Sequence, residues 1–209
     1  MAGRLGTVTP GPGLTPLGTE QAVMIPDALA NDGVEAIYAS RLVRTQLTAA
    51  PLAEQLGLAV TVLLGIHEIE AGDLEARRDR DAVRTYLLTA FDWGLGRLDP
   101  RMPGAEDGTE FFERFDSSIE TIAGAGHGVA VAFSHGAAIR VWVAGRATNV
   151  PPTFAGEHDI ENTGVVELTG SPEQGWTLIS WQGTPVGGAR LSDDTAEDPT
   201  GESLDEALE

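Results

Sequence analysis

The sequence predicts an α/β fold, a three-layer α/β/α sandwich around a mostly parallel sheet, and two observations carry this prediction. Apolar runs of strand length alternate with helix-length segments over most of the chain. The run 129–133 stops at Ser134-His135-Gly136, and an apolar segment of helix length follows directly. In an open α/β sheet such a corner lies at the binding crevice, where free helix N–H groups favour an anion.

The first half of the chain alternates helices and strands. Thr15-Pro16 supplies an N-cap and a first-turn proline for a helix, and residues 34–39 have the pattern of a short strand. Ser40 is expected to cap the next helix, which Gly57 ends. Residues 59–64 are continuously apolar, as is typical of a strand buried on both faces.

The second half of the chain begins with an acidic segment that we expect to be mostly loop, followed by a helix through residue 90. Glycine and proline residues predict a loop over 92–108. The remaining predicted elements, in chain order, are helix 110–122, strand 129–133, a helix to about residue 144, and strands 162–168 and 177–181, joined by a turn at Ser171-Pro172. We expect residues 1–190 to form a single domain.

The composition excludes several classes of protein. With 209 residues, of which 42% are hydrophobic, the chain is long enough for one domain with a real core. No apolar run is long enough to span a bilayer and no signal peptide is evident, so we expect no membrane contact and a cytoplasmic location. The chain has no cysteine, and its four histidines lack the spacing of zinc ligands, so we expect no metal and no cofactor.

The net charge is strongly negative, at −19, and all 13 basic residues are arginines. This charge argues against a general nucleic-acid surface, so a bound phosphate needs a local cluster of arginines. Residues 191–209 contain eight carboxylates and no basic residue, which predicts an acidic disordered tail.

Three side chains are candidates for the site. Arg44 lies near the start of a helix that follows a strand, Glu68 follows the next strand after a short turn, and His135 stands at the strand-helix corner. All three are therefore expected near the same crevice. A guanidinium, an imidazole and a carboxylate could neutralise a phosphoryl group, donate a hydrogen bond to it and protonate a leaving oxygen.

The sequence resembles the histidine phosphatase superfamily, the phosphoglycerate-mutase-like proteins, over residues 14 to 182. The resemblance rests on four motifs in the family's order and on a segment, 162–168, that is similar to the family's closing strand. The motifs are Leu14-Thr15-Pro16-Leu17-Gly18, Ser40-Arg41-Leu42-Val43-Arg44-Thr45, Glu68-Ile69-Glu70-Ala71-Gly72-Asp73-Leu74-Glu75 and Ser134-His135-Gly136.

The resemblance implies a role for each candidate residue. Arg44 matches the arginine that binds the phosphoryl group, His135 matches the second histidine of the phosphate pocket, and Glu68 matches the general acid. Glu106 matches, loosely, a turn near the substrate. The implied activity is hydrolysis of a small-molecule phosphate ester. We favour a phosphatase over a mutase because the span 72–108 is shorter and more glycine-rich than closure around a retained product would need.

One departure from the family is large. The family begins with a central strand ending in Arg-His-Gly, whose histidine is the nucleophile, and no such motif precedes Leu14. The first strand and the nucleophile are therefore expected to be absent from this chain. His135 already matches another position, and His127 and His158 are expected to be structural. His67 adjoins Glu68 and could be a neighbour of the pocket, but we favour a surface turn.

Two explanations of this departure stay open. The gene start could have been assigned too far downstream, at an internal GTG codon, or the chain could be a non-catalytic phosphate-binding or interaction protein. Loss of a central strand leaves buried edges unpaired, at a cost of about 1 to 3 kcal/mol for each unsatisfied group. Since domains are stable by only about 5 to 15 kcal/mol, we expect the chain to be poorly stable alone and favour the first explanation. The sequence leaves the physiological substrate and the oligomeric state open.

Overall fold

A computed structural model describes residues 4–192, and a parallel sheet of three strands lies at its centre. In spatial order the strands are β2 (Val60–Leu63), β1 (Ala36–Ser40) and β3 (Ala130–Phe133). Parallel pairing places Ser40 opposite Leu63 and Ala39 opposite Phe133. The carboxyl ends of all three strands therefore meet at one end of the sheet, where the candidate site lies.

Helices cover both faces of this sheet. They are α1 (Pro16–Ala28), α2 (Val43–Leu56), α3 (Arg80–Gly94), α4 (Gly108–Gly124), α5 (Gly136–Arg146) and the short α6 (Phe154–Glu157), with 3₁₀ turns at Gly72–Leu74 and Ala189–Leu191. α1 begins as predicted, because the Thr15 hydroxyl accepts a hydrogen bond from the Gly18 N–H. Gly57 ends α2 in the left-handed conformation, with φ of 66°.

Two expectations about helix boundaries are wrong. Ser40 does not cap α2: it is the last residue of β1, and Leu42 occupies the N-cap position without a side-chain cap bond. The predicted loop over 92–108 is shorter, because α3 continues to Gly94 and buries Trp93 completely. α4 then begins at Gly108.

The helices form two layers, one on each face of the sheet. On one face, Ile25 of α1 and Leu52 of α2 pack with Ile37 of β1. On the other face, α3, α4 and α5 enclose a larger aromatic core that includes Tyr86 and Phe111. This is the predicted three-layer α/β/α arrangement, and the apolar character of β1 explains it, because neighbouring side chains of a strand point to opposite faces.

The two last strands form a separate antiparallel sheet. β4 (Val165–Ser171) pairs with β5 (Gly175–Gln182), so the predicted closing pair is confirmed, with β4 displaced toward its carboxyl end. The free side of β5 is occupied by the segment after α5: the Thr148 N–H donates to the Trp176 carbonyl, and the Asn149 side-chain amide bonds both backbone groups of Leu178.

The last described residues pack on α1. Leu191 is buried, and its carbonyl accepts a hydrogen bond from the Gln21 side chain at 2.8 Å. The remainder of the predicted acidic tail, residues 193–209, lies outside the described residues. Between residues 4 and 192, no helix has both the length and the apolar character needed to cross a membrane.

Candidate active site

His135 stands at the junction of β3 and α5, where it occupies the N-cap position with extended backbone angles. Its side chain is buried, with 7% of the residue surface exposed. The parallel register brings the end of β1 beside it, so that Ser40 contacts the ring. The predicted corner therefore exists, and the imidazole points to the end of the sheet where β1 and β3 meet.

Both ring nitrogens of His135 have partners inside the chain. Nδ1 lies 3.0 Å from Nη2 of Arg44, and Nε2 lies 2.7 Å from Oγ of Ser40. A guanidinium nitrogen can only donate, so Nδ1 must accept. Neutral imidazole then carries its proton on Nε2, which donates to the Ser40 hydroxyl. This assignment follows from the hydrogen-bond network.

The pKa of His135 is lowered well below its usual value of about 6.5. Burial is the largest cause, because the imidazolium form loses hydration, and the positive charge of Arg44 is the next. His67 and Arg114 contribute in the same direction. The ring is therefore neutral near pH 7 when no anion is bound.

Arg44 occupies the first turn of α2 and reaches across to the amino-terminal segment. Its Nη1 donates to the Gly6 carbonyl at 3.1 Å, while Nη2 contacts His135. Both partners are neutral acceptors, and no carboxylate among residues 4–192 forms an ion pair with this guanidinium. Its charge is thus available to an anion at the carboxyl end of the sheet.

Glu68 is brought to the same place, and 1% of its surface is exposed. Its carboxylate accepts hydrogen bonds from the backbone N–H groups of Ile69 at 2.8 Å, Ala138 at 2.9 Å and Ala137 at 3.3 Å. Two of these donors form the first turn of α5, directly after His135. These N–H donors hold the carboxylate at the N-terminus of α5, beside His135.

Glu106, the fourth predicted residue, is held in an ion pair. Its carboxylate receives two hydrogen bonds from Arg114 of α4, at 2.6 and 2.7 Å, and a longer one from the Glu70 N–H. The remaining N–H groups of Arg114 donate to the carbonyls of Gly65, His67 and Glu68. Arg114 and Glu106 together hold the segment that carries Glu68, and no sequence motif points to Arg114.

His67 does not lie in a surface turn, so that expectation is wrong: the residue is buried, with 4% of its surface exposed. Its Nδ1 lies 2.5 Å from the Leu64 carbonyl oxygen, and its Nε2 lies 3.3 Å from the Glu70 carboxylate. Burial, Arg114 and Arg41 lower the pKa of His67 to about 4. The bonds from Arg114 to the carbonyls of residues 65, 67 and 68 explain why this segment is drawn into the protein.

The other two histidines lie elsewhere. His127 precedes β3 at the opposite end of the strand, where its ring is partly exposed near Glu35. His158 stacks on the Phe154 ring, with 3.8 Å between the ring centroids, and bonds the Phe154 carbonyl. Within the described part of the chain, no group of three His, Asp or Glu side chains could hold a metal ion.

A three-layer α/β fold in which an arginine, meeting only neutral acceptors between residues 4 and 192, lies beside a histidine and a helix N-terminus is typical of proteins that bind phosphate groups. The chain belongs to the histidine phosphatase superfamily (branch 1), whose family model matches residues 3–184. The family predicted from the four motifs is therefore confirmed.

A curated mycobacterial protein is similar to most of this chain. The chain is 41% identical over 203 residues to the PE-PGRS family protein PE_PGRS11 of Mycobacterium tuberculosis, a match covering 90% of this chain and 35% of that protein. The chain thus spans about a third of the length of this curated relative.

Solved structures share the fold at low identity. A mycobacterial glucosyl-3-phosphoglycerate phosphatase superimposes with a TM-score of 0.70 at 22% identity, covering 87% of this chain and 92% of that one. The phosphoserine phosphatase of Entamoeba histolytica, in complex with 3-phosphoglyceric acid, gives 0.66 at 22% identity, with coverages of 87% and 89%. At this identity the likeness establishes the fold alone.

Proposed function

We propose that this chain is the phosphate-binding body of a histidine phosphatase that hydrolyses a small-molecule phosphate monoester through a phosphohistidine. The observation that carries the proposal is the contact of Arg44 with His135 at the carboxyl ends of β1 and β3. Arg44 has no carboxylate partner in the described part of the chain, and His135 immediately precedes a helix. Together they can neutralise the equatorial oxygens of a phosphoryl group.

The proposed reaction has two steps. A neutral imidazole attacks the phosphorus in line while Arg44 and His135 stabilise the developing charge, and protonated Glu68 gives its proton to the departing alcohol oxygen. Water then hydrolyses the phosphohistidine. We propose that the attacking imidazole comes from a segment outside residues 1–209. His127 and His158 lie away from the site, His67 is packed between Leu64 and Glu70, and His135 is assigned to stabilising the phosphoryl group.

The edges of the strands support this part of the proposal. β1 is buried from Ile37 to Ser40, whereas β3 is partly buried or exposed along its length. Over residues 4–192, no backbone hydrogen bond joins β3 to β4. Yet Val165 of β4 packs against the same core cluster as Val131 and Phe133 of β3.

β4 also contacts the opposite core through Val166 and Leu168. β3 and β4 therefore lie between the same two helical layers, and the other side of each is already paired, with β1 and with β5. An extended segment placed between them would satisfy both edges. If it runs parallel to β3, its carboxyl end reaches His135, Arg44 and Glu68.

A second candidate function is phosphate binding without catalysis. It is favoured by the commitment of the buried histidines: both ring nitrogens of His135 and of His67 have partners within the chain. Both ring nitrogens of His135 are bound by Arg44 and Ser40, and the His67 ring is enclosed between the Leu64 carbonyl and the Glu70 carboxylate. Under this alternative, phosphate binds and no turnover follows, with or without an added segment.

Hydrolysis of an aryl phosphate separates the two functions. We expect the 209-residue chain to bind inorganic phosphate without turnover, and a longer chain that includes the in-frame codons upstream of Met1 to hydrolyse the ester. An Arg44→Gln variant of each form is the matched control for binding. Turnover by the shorter chain would contradict the absent nucleophile, and a lack of phosphate binding in both forms would overturn the proposed site.

A further inference from the structure

We propose that Ser40 is the positioning residue for His135. By accepting a hydrogen bond from the Nε2–H group, Ser40 leaves the unprotonated Nδ1 facing the anion site. Binding of an anion is then coupled to the uptake of one proton at Nδ1. The inference rests on the proposed function, because it takes Arg44 and His135 as the groups that contact a phosphoryl group.

The Ser40 hydroxyl is fully buried at the end of β1. Its Oγ lies 2.7 Å from Nε2 of His135, 3.0 Å from Oγ1 of Thr45 and 3.2 Å from the Leu42 nitrogen. A serine hydroxyl has one proton to donate and two lone pairs to accept with. The N–H groups of Leu42 and His135 fill both lone pairs, so the hydroxyl proton goes to Thr45.

The hydrogen bonds are all satisfied only if the His135 Nε2–H donates to Ser40 and Ser40 donates to Thr45. The Thr45 hydroxyl accepts from Ser40 and donates its own proton to the Leu42 carbonyl, 2.9 Å away. Arg44 fixes the other side of the ring, because Nδ1 must accept from its guanidinium. In the free protein both nitrogens of the imidazole are thus paired, and no ring N–H points to the anion site.

A bound tetrahedral dianion changes this balance. Once the Arg44 guanidinium turns from Nδ1 to the anion, Nδ1 retains a bare lone pair that would repel an anionic oxygen. One proton taken from solvent onto Nδ1 gives an imidazolium that donates to the anion, while Nε2 continues to donate to Ser40. Burial is the main reason that the free ring is neutral, and positive neighbours such as Arg44 add to it; the anion's charge offsets those positive neighbours.

Charged and titratable groups face the ring from every side. Arg44 approaches from α2, Arg114 from α4 and His67 from the segment after β2. The Glu68 carboxylate lies at the first turn of α5. Arginines stay charged and His67, with its pKa of about 4, stays neutral near pH 7, so Glu68 is the competing acceptor of a proton.

Sulfate is the probe of choice, because it has the shape and charge of the phosphate dianion and does not titrate near neutral pH. Titration calorimetry at about pH 7.5 in buffers of different ionisation enthalpy counts the protons taken up. We expect about one proton for each sulfate bound by the native chain. The ¹⁵N spectrum of histidine-labelled protein should show a bare Nδ1 and a protonated Nε2 in the free chain, and two protonated nitrogens in the complex.

Ser40→Ala removes the acceptor, and we expect sulfate affinity to fall by about tenfold, the loss typical of a hydrogen bond to a charged group. Its free ¹⁵N spectrum should become a mixture of the two neutral tautomers. Ser40→Thr keeps a hydroxyl and should restore both readouts, and Thr45→Val should keep the Nε2 tautomer. The native spectrum alone decides the matter if Ser40→Ala fails to fold.

Four results would overturn the inference. A free ring protonated at Nδ1 would show that Ser40 donates rather than accepts. Proton uptake with an unchanged Nδ1 resonance would assign the proton to Glu68. Sulfate binding without proton uptake would remove the coupling while leaving the proposed phosphate site intact, whereas no binding of sulfate or phosphate at all would remove both.

Discussion

Two arginine-histidine-glutamate groups lie at the carboxyl end of the sheet, and they differ in where the glutamate is bound. In the first, Arg44 contacts His135, and Glu68 is held by backbone N–H groups instead. In the second, Arg114 lies beside buried His67 and is paired twice with Glu106.

The first group suits binding, and the second is structural. Arg114 directs its charge to Glu106 and its other N–H groups to carbonyls of the chain, so it has little left for a ligand. Arg44 meets only neutral acceptors among the described residues. The same three residue types therefore form the proposed anion site in one group and a clamp on the segment 65–68 in the other.

The largest expected effect comes from breaking the clamp. Arg114→Gln leaves the Glu106 carboxylate, whose side chain is 10% exposed, without its charged partner. We expect the free energy of unfolding to fall by about 3 to 5 kcal/mol, the usual cost of leaving one partner of a buried ion pair uncompensated. Urea denaturation followed by tryptophan fluorescence measures it, and a loss below about 1 kcal/mol would contradict the structural role.

The matched change in the first group should act on binding instead. Arg44→Gln removes a charge that no carboxylate among the described residues balances, so we expect the free energy of unfolding to change by less than about 1 kcal/mol. The dissociation constant for inorganic phosphate should rise by about 30 to 150 fold, which corresponds to about 2 to 3 kcal/mol of charge-assisted hydrogen bonding. Calorimetry checks the affinity. Unchanged phosphate affinity, or a stability loss equal to that of Arg114→Gln, would remove the distinction between the two arginines.

The first group is more predictable from the sequence than the second. Arg44, Glu68 and His135 each follow a strand, and their convergence follows from parallel pairing, which strand patterns indicate. Arg114 lies on a helix whose pattern shows only an apolar face, and its partners are carbonyls far away in the sequence. No local pattern could identify those contacts.

The expected capping role of Ser40 fails for a related reason. A serine before an apolar helical segment is the usual pattern of an N-cap, and the competing hydrogen bond to His135 comes from a residue 95 positions away in the chain. The acidic neighbours of His67 suggest a surface position, yet its burial depends on Arg114. A tertiary contact that the sequence does not predict therefore underlies each error: His135 for Ser40, and Arg114 for His67.

Both groups contain a buried histidine, which makes stability depend on pH. The pKa of His67 is lowered to about 4 and that of His135 is lowered well below 6.5, in each case chiefly by burial. The unfolded chain therefore binds more protons than the folded chain below about pH 6.5, and stability falls as the pH drops from about 6.5 toward 4.

We expect His67→Gln to remove about 2 to 3 kcal/mol of this pH-dependent loss, since one pKa unit corresponds to about 1.4 kcal/mol. Glutamine can still donate to the Leu64 carbonyl, so the local structure keeps its hydrogen bond. Urea denaturation at about pH 7 and about pH 4.5 gives the two stabilities to compare. Equal losses for the native and variant chains would mean that His67 is protonated in the fold, with Glu70 as its counter-ion.

The smallest expected effect tests whether the start of α4 or the pair of Arg114 and Glu106 contributes more to the free energy of unfolding. Asp107 caps α4 in a capping box with Glu110, one residue after Glu106, and its pairing with Arg101 is exposed and of little energetic value. Asp107→Ala should lower the free energy of unfolding by about 1 kcal/mol, the typical value of an N-cap, and leave phosphate affinity unchanged. Asp107→Ala damages the start of the helix that carries Arg114 and leaves the ion pair of Arg114 and Glu106 in place. If it lowers the free energy of unfolding as much as Arg114→Gln does, the stabilisation comes from the helix start and not from the ion pair.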